Sequence, residues 1–182
     1  MVAPKPGTLI GAWMLKRAVL EVEVKLRLAD PATARRDLLG LGATAHPPRL
    51  ELDIFFVHPQ RDFASTREVL RLRSCNGSFE LTYKGPPTGV GVARARTEHN
   101  VATGSDPTAL LLGLGFRLGP QVTKQREPFE LLGAHVTLDH LPGVGWFAEV
   151  EAVGTDEAAA RELVGRVIQN LGWVDWPREP RS

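Results

Sequence analysis

The sequence predicts an α+β fold in which about eight antiparallel strands form a sheet flanked by helices. Charged and apolar residues alternate in many short segments, and successive side chains of a strand point to opposite faces. A helix start at Asp30-Pro31 recurs at Asp106-Pro107, which divides the chain into two pseudo-repeated halves. Antiparallel sheets accept one polar and one apolar face. An open sheet with its charges in water and a closed barrel or tunnel with its charges inside both fit this pattern.

The composition is typical of one globular domain. The 182 residues can bury a sizeable core, and the formal net charge is +1. This charge provides no global attraction to nucleic acid or to an anionic membrane, so we expect a small-molecule partner and neither of those two. The single cysteine, Cys75, cannot form an intrachain disulfide and fits a reducing, cytoplasmic location.

Three segments are expected along the chain: an N-terminal extension (1–18), a folded domain (19–176) and a disordered tail (177–182). The apolar patch at residues 9–15 contains Gly11 and is too short to span a bilayer. Met14 could be an alternative start. We therefore expect residues 1–13 to be dispensable for stability and activity.

The first half of the chain begins with a strand at residues 21–27, whose polar face carries Glu21, Glu23, Lys25 and Arg27. A helix follows, with Asp30 as its N-cap, Pro31 at its first position and glycines at its end. The dipeptide Asn76-Gly77 predicts a two-residue hairpin turn. Further strands are predicted around this turn at residues 49–56, 68–73 and 79–84.

The second half repeats this order of elements. A strand with Arg94, Arg96 and Glu98 follows a loop rich in glycine and proline at residues 85–91. A shorter helix begins at Asp106-Pro107, and a last helix begins at Thr155 or Asp156 and ends at Gly172. The strands between these helices contain, in order, Lys124 and Arg126, then His135, Thr137 and Asp139, then Phe147, Glu149 and Glu151.

The charged side chains are grouped by sign along each strand. Like charges on neighbouring same-face positions repel, so such grouping favours a bound ligand over a solvated sheet face. Carboxylates are ligands for Mg²⁺ and Mn²⁺, whereas arginine and lysine match phosphate oxygens. The acidic set is Glu21, Glu23, Asp139, Glu149 and Glu151, with Glu98 as a further candidate. The basic set is Lys25, Arg27, Arg71, Arg73, Lys84, Arg96, Lys124 and Arg126, with Arg94 as a further candidate.

An ordered series of motifs over residues 19–172 resembles the CYTH superfamily of triphosphate tunnel metalloenzymes, which includes class IV adenylyl cyclases and thiamine triphosphatases. Glu21-Val22-Glu23-Val24-Lys25 matches the ExExK signature of that superfamily. The other matching segments are Leu70-Arg71-Leu72-Arg73, Leu81-Thr82-Tyr83-Lys84-Gly85-Pro86, Arg96-Thr97-Glu98, Leu114-Gly115-Phe116, Lys124-Gln125-Arg126, Leu138-Asp139 and residues 143–151.

The resemblance implies a tunnel of eight antiparallel strands, and so favours the closed alternative. It implies that Mg²⁺ or Mn²⁺ is held by the carboxylates Glu21, Glu23, Asp139, Glu149 and Glu151. The predicted triphosphate-binding residues are Lys25, Arg27, Arg71, Arg73, Lys84, Arg96, Lys124 and Arg126. Lys25 and Lys84 are the candidate catalytic bases, on the condition that neighbouring cations lower their pKa values.

Two reactions fit such a tunnel. A water could attack the terminal phosphorus of a triphosphate, or the ribose 3′-hydroxyl of ATP could attack the α-phosphorus and release pyrophosphate. Class IV cyclases resemble one another in a His-Phe pair where this chain has Leu15 and Lys16, and animal thiamine triphosphatases look like they use a tyrosine where it has Phe55. The closing run at residues 138–151 looks closest to the cyclase-like branch. We favour hydrolysis of thiamine triphosphate, tripolyphosphate or a nucleoside triphosphate over formation of cyclic AMP.

Two other functions are less well supported. A non-catalytic module that binds nucleotide or polyphosphate would not require the acidic set. An RNA-binding barrel would need exposed aromatic residues between its cations. The chain has a single tyrosine, which argues against the RNA-binding barrel.

The apolar strand faces and the last helix could form the surface of a homodimer.

Overall fold

The computed structural model describes residues 19–87 and 94–179. Within these ranges it contains nine strands and four helices. They are β1 (Val19–Leu28), α1 (Pro31–Gly40), β2 (Thr44–Ala45), β3 (Arg49–Val57), α2 (Phe63–Thr66), β4 (Val69–Cys75), β5 (Ser78–Lys84), β6 (Arg94–Thr103), α3 (Thr108–Gly113), β7 (Arg117–Leu131), β8 (Ala134–Leu141), β9 (Gly145–Gly154) and α4 (Glu157–Asn170).

Eight of these strands close into a barrel. They pair in the order β7-β3-β4-β5-β6-β1-β9-β8, and β8 pairs back onto β7. Every pairing is antiparallel. The closed alternative and the predicted eight-stranded tunnel are therefore confirmed. The extra strand β2 pairs with β7, and it was not predicted because two residues show no period.

The barrel has its apolar side chains outside and its charged side chains inside. Val22 and Leu26 of β1 are buried in a cluster with Val164 and Val167 of α4. A second cluster, which includes Phe63 of α2, covers the other side of the barrel. The helices cover the outer, apolar face of the barrel. The charged face of each strand is enclosed because the eight strands close on themselves.

The predicted turns and helix starts are confirmed in detail. The Asp30 carboxylate accepts hydrogen bonds from the backbone N–H groups of Ala32 and Thr33, as an N-cap does. Asp156, rather than Thr155, caps α4 in the same way. Asn76 and Gly77 have φ values of 49° and 79°, which is the left-handed conformation that a two-residue hairpin turn requires.

The C-terminal segment differs from the predicted disordered tail. The backbone N–H of Arg27 donates to the carbonyl of Pro177 over 2.8 Å, and the N–H of Glu179 donates to the carbonyl of Lys25 over 3.0 Å. In the described part of the chain, pairing between β1 and β6 extends to Glu23, and this segment bonds to β1 beyond that point.

Some predictions fall outside the described residues: the N-terminal extension, most of the loop at residues 85–91, and residues 180–182. In the described part of the chain, no helix is long and apolar enough to cross a membrane.

Candidate active site in the tunnel

The tunnel is lined by charged side chains from all eight barrel strands. Alternation along each strand places every second residue inside, which is why single-strand patterns predicted the lining. The lining residues are Glu21, Glu23 and Lys25 on β1; Glu51 and Asp53 on β3; Arg71 and Arg73 on β4; Lys84 on β5; Arg96 and Glu98 on β6; Lys124 and Arg126 on β7; Asp139 on β8; and Glu149 and Glu151 on β9.

One part of the tunnel, which we call the basic cluster, contains Arg71, Arg73, Lys124 and Arg126. Arg73 forms a two-bond fork with Asp53, at 2.7 and 2.8 Å. Arg126 donates to Asp139 through Nε over 2.7 Å and to Glu149 through Nη2 over 2.6 Å. These contacts hold the guanidinium groups in fixed positions that point into the tunnel.

The four cations of the basic cluster are affected unequally. Burial would lower the pKa values of Arg73 and Arg126, but the carboxylates bound to them raise both. Burial, together with the charge of Arg73, lowers the pKa of Arg71. Burial also lowers the pKa of Lys124, and it outweighs the attraction of Glu149 and Asp139, which Arg126 and Arg73 partly offset. A cation whose pKa falls is destabilised by its surroundings, so a polyanion placed here would stabilise the cluster.

A second part, the acidic cluster, contains Glu21, Glu23, Glu98 and Glu151. The Lys84 ammonium lies 2.7 Å from Glu21 and 2.7 Å from Glu98, so two carboxylates share one cation. Glu23 lies opposite Glu151 in the β1–β9 register. Among the described residues, neither Glu23 nor Glu151 forms a side-chain hydrogen bond or an ion pair.

The carboxylates of the acidic cluster are also affected unequally. Burial would raise the pKa of Glu98, but its hydrogen bond with Glu21 and the charge of Lys84 lower it to about 2. Burial raises the pKa of Glu21 to about 9, and the neighbouring Glu98 and Glu23 act in the same direction. Burial also raises the pKa of Glu151, with contributions from Glu23, Glu98 and Glu149. These carboxylates would be stabilised in their charged form by an added cation.

The five predicted metal ligands do not form one group. Glu21, Glu23 and Glu151 belong to the acidic cluster, whereas Arg126 binds both Asp139 and Glu149. Burial would raise the pKa of Glu149, but Lys124, Lys25 and Arg126 hold this pKa well below its ordinary range. In the described part of the chain, no three His, Cys, Asp or Glu residues are arranged to hold a metal ion. The oxygen donors of the acidic cluster nevertheless have the chemistry that Mg²⁺ and Mn²⁺ require.

Lys25 and Lys84 could act as bases only if their surroundings lowered their pKa values, and the structure shows the opposite. Burial would lower the pKa of Lys25, but Glu149 outweighs it and raises this pKa. Glu21 and Glu23 do the same for Lys84. Both lysines are therefore held in the charged form, which can bind phosphate oxygens but cannot accept a proton.

Arg27 also departs from the predicted triphosphate-binding set. The Arg27 side chain is 42% exposed and pairs with Glu179 over 2.8 Å. The buried Phe147 ring lies between Arg27 and Lys25, with cation-to-centroid distances of 4.9 and 5.1 Å. The structure therefore places Arg27 at the tunnel end, while the side chain of Arg94 lies outside the described part. The guanidinium of Arg96 is 4.0 Å from Glu21, beside the acidic cluster.

Sequence reasoning left Glu51 and Asp53 out of the site. Glu51 is fully buried and lies 2.8 Å from Arg49, 2.9 Å from Arg73, 3.6 Å from Arg126 and 3.7 Å from Lys124. The alternation of β3 had placed Glu51 and Asp53 on one face, and this was the available signal. Grouping by sign could not show that two carboxylates lie among cations from neighbouring strands.

A polar relay connects the two clusters. Arg71 donates to the Thr82 hydroxyl over 3.1 Å, and this hydroxyl donates to the Asn100 side-chain carbonyl over 2.7 Å. The Asn100 amide then donates to Glu98 over 2.7 Å. The clusters are thus parts of one continuous lining.

Comparison with known proteins agrees with this architecture. The family model for the CYTH domain matches residues 20–172. Adenylate cyclase CyaB of Aeromonas hydrophila is 32% identical over 169 residues, which cover 89% of this chain and 85% of the relative. The chain belongs to the CYTH family.

Two solved structures share the fold. PH1819 from Pyrococcus horikoshii is 30% identical with a TM-score of 0.74, and the match covers 89% of this chain and 94% of that one. HpAC1 from Hippeastrum, for which a dominant triphosphatase activity is described, is 19% identical with a TM-score of 0.63 and coverages of 89% and 92%. The tunnel and the family together define an enzyme of the CYTH family.

Proposed function

We propose that this enzyme hydrolyses a small organic or inorganic triphosphate with the help of a divalent metal ion. The observation that carries the proposal is the separation of charge inside one enclosed tunnel. The basic cluster favours a polyanion, and the acidic cluster favours a cation. A metal-bound triphosphate is a ligand that satisfies both at once.

In this proposal the basic cluster binds the phosphate chain. Arg73 and Arg126 are oriented by Asp53 and Asp139, and the N–H groups that these carboxylates leave free could donate to phosphate oxygens. Lys25 and Lys84, both held charged, add point charges from β1 and β5. The enclosed tunnel keeps bulk water away, which strengthens these interactions.

The acidic cluster would hold Mg²⁺ or Mn²⁺ through Glu21, Glu23 and Glu151. When bound, the ion would neutralise phosphate charge and orient the attacking water. Because Glu21 retains a proton in the folded protein, ion binding should release that proton. Asp139 and Glu149 act here as positioning residues for Arg126 rather than as metal ligands.

The second candidate is class IV adenylyl cyclase activity, which CyaB's name and the closing run at residues 138–151 favour. Hydrolysis is preferred because Leu15 and Lys16 replace the His-Phe pair of bacterial cyclases. The activity described for HpAC1 supports the same preference within this fold.

A cytoplasmic location is part of the proposal and depends on the single cysteine, Cys75, which is free.

A substrate panel tests the proposal. ATP, thiamine triphosphate and tripolyphosphate are incubated with Mg²⁺ or Mn²⁺, and the products are identified. Release of phosphate supports the hydrolase, whereas cyclic AMP with pyrophosphate supports the cyclase. Tight binding without any product would overturn both and favour a non-catalytic binding module.

A further inference from the structure

The helices do not cover the two halves of the outer barrel face equally. On the side of β1, β8 and β9, the ten-residue α1 and the fourteen-residue α4 belong to a cluster in which Val22, Leu26 and Val150 are fully buried. On the side of β3, β4 and β5, the helices packed there within the described residues are the four-residue α2 and the six-residue α3. These short helices contact the strands near Phe56 and Leu70. The part of the strands farther from these two residues is therefore less well covered.

Two rows of side chains cross this less covered part, from β7 through β3, β4 and β5 to β6. The charged residues of these strands point into the tunnel, so alternation places their neighbours outside. The strand register aligns one row of Thr123, Leu52, Ser74, Phe79 and Thr103 and a second row of Gln121, Ile54, Leu72, Leu81 and Val101. We call these residues, together with Leu50, the uncharged face. None of them has an ionisable side chain, although charged residues make up 24% of the whole chain.

The uncharged face is partly open to solvent. Leu50 is 62% exposed, and Val101 is 58% exposed. Four further large apolar residues of the face are only half-buried, namely Leu52, Ile54, Phe79 and Leu81. A contiguous apolar area of this kind on a protein of ordinary charge content indicates an interaction surface.

The composition of the uncharged face selects the kind of partner. Nucleic acids and anionic membranes are bound through lysine and arginine, and this face contains neither. In a two-fold dimer, the same patch of each subunit faces its counterpart, so charges of one sign on that patch would repel each other. A face without charges avoids this repulsion. Charged residues are also depleted at the centre of protein interfaces, which favours a second copy of the chain.

The size of the uncharged face also fits a dimer. Five strands about 4.8 Å apart, with three outward positions on a strand, give a footprint of roughly 500 Å² when side-chain width is included. Each subunit of a standard interface buries about 800 Å². Leu110 and Leu114, which are exposed on and just after α3, extend the apolar area beside this face, because α3 packs through Leu111 on the cluster that Ile54 and Leu81 join.

We propose that the uncharged face is a dimerisation surface whose partner is a second copy of this chain. The last helix, α4, is less suited to this role. It buries Val164 and Val167 in the core of its own subunit and presents Glu162 and Arg166 to solvent. Because the uncharged face lies outside the tunnel, this inference does not depend on the proposed function.

The test measures molecular mass in solution by light scattering after size-exclusion chromatography and by analytical ultracentrifugation. The wild-type protein should have twice the 19.9 kDa mass of one chain. The double variant Leu50→Glu/Val101→Glu should raise the dissociation constant of the dimer by roughly 100-fold or more, because like charges then meet across the interface. Both side chains are exposed in the single subunit, so the fold should persist, as judged by circular dichroism. The matched control Leu39→Glu/Val174→Glu, at positions 57% and 52% exposed outside the face, should remain dimeric.

A mixing experiment shows whether the partner is a second copy. The variant Leu50→Lys/Val101→Lys should also be monomeric, and an equimolar mixture with the glutamate variant should form dimers again, because the two faces then carry opposite charges. A wild-type protein that is monomeric at every concentration would overturn the inference, and its sedimentation with phosphatidylcholine vesicles would assign the face to a lipid surface instead. Equal dissociation of the glutamate variant and its control, or dimers in both, would also overturn it. None of these results bears on the triphosphatase proposal, which is tested by product release.

Discussion

The acidic and basic clusters lie in one tunnel, yet the pKa values of carboxylates within the first and beside the second are shifted in opposite directions. Glu21 and Glu151 have raised pKa values because nearby carboxylates add to the effect of burial. Glu149 is also buried, but Lys124, Lys25 and Arg126 hold its pKa far below the ordinary range. The difference comes from the neighbours and not from exposure. It indicates that each cluster would gain most from a ligand of the opposite charge.

The largest effect is expected from removing a carboxylate of the acidic cluster. Glu23→Gln or Glu151→Gln should reduce metal-dependent phosphate release by more than about 100-fold, because a neutral amide holds a divalent ion far less well. The fold should persist, as judged by circular dichroism. The control is Glu162→Gln, whose carboxylate lies on the exposed face of α4. Undiminished activity in both tunnel variants would contradict the metal assignment.

The next largest effect concerns Glu51, which stabilises the basic cluster. Glu51→Gln should lower the free energy of unfolding by about 3 kcal/mol, because several buried cations lose their shared counter-charge. Urea denaturation measures this change. Glu130→Gln is the control, since the Glu130 side chain is 57% exposed. Equal stabilities of the two variants would show that Glu51 does not neutralise the cations of the basic cluster.

A smaller effect is expected at Arg73. Arg73→Ala should weaken triphosphate binding by about 1–3 kcal/mol, the scale of a hydrogen bond to a charged group. Binding of a monophosphate should change less, because it contacts only part of the basic cluster. Calorimetry with the triphosphate and with the monophosphate measures the two losses of affinity. An equal loss for the monophosphate would rule out a binding site distributed along the phosphate chain.

A separate prediction concerns the pH dependence of stability that Glu21 contributes. Its pKa in the folded protein, about 9, exceeds the ordinary value of 4.5, so the folded state retains a proton that the unfolded state loses. The stabilisation that Glu21 provides by keeping this proton is complete below pH 4.5 and is lost as the pH rises through 9. Between these values the wild-type protein should lose stability relative to Glu21→Gln, as measured by urea denaturation. Parallel pH profiles would show that Glu21 titrates normally.

Much of the fold could be predicted because its signals are local. Alternation assigned side chains to the two faces of each strand, and Asp30, Asp156 and Asn76-Gly77 fixed helix starts and a turn. Closure of the sheet is not local, since a period of two is the same in an open sheet and in a barrel. The resemblance to the CYTH superfamily supplied that information.

The candidate site could be predicted only by the sign of its charges. Which carboxylate meets which cation depends on strand register and barrel closure, and no single strand encodes either. Arg126 therefore binds Asp139 and Glu149, which the family resemblance had assigned to the metal. The pairing of Glu179 with Arg27 escaped prediction for the same reason, because 152 positions separate the two residues.

Calorimetric titration of Mn²⁺ into the wild-type protein and into the Glu23→Gln/Glu151→Gln and Arg71→Ala/Arg73→Ala double variants tests the division of charge most directly. We expect the wild-type protein and the arginine variant to bind the ion and the glutamate variant to lose binding. Equal Mn²⁺ affinity in all three proteins, or loss in the arginine variant alone, would contradict the assignment of cation and anion to opposite clusters.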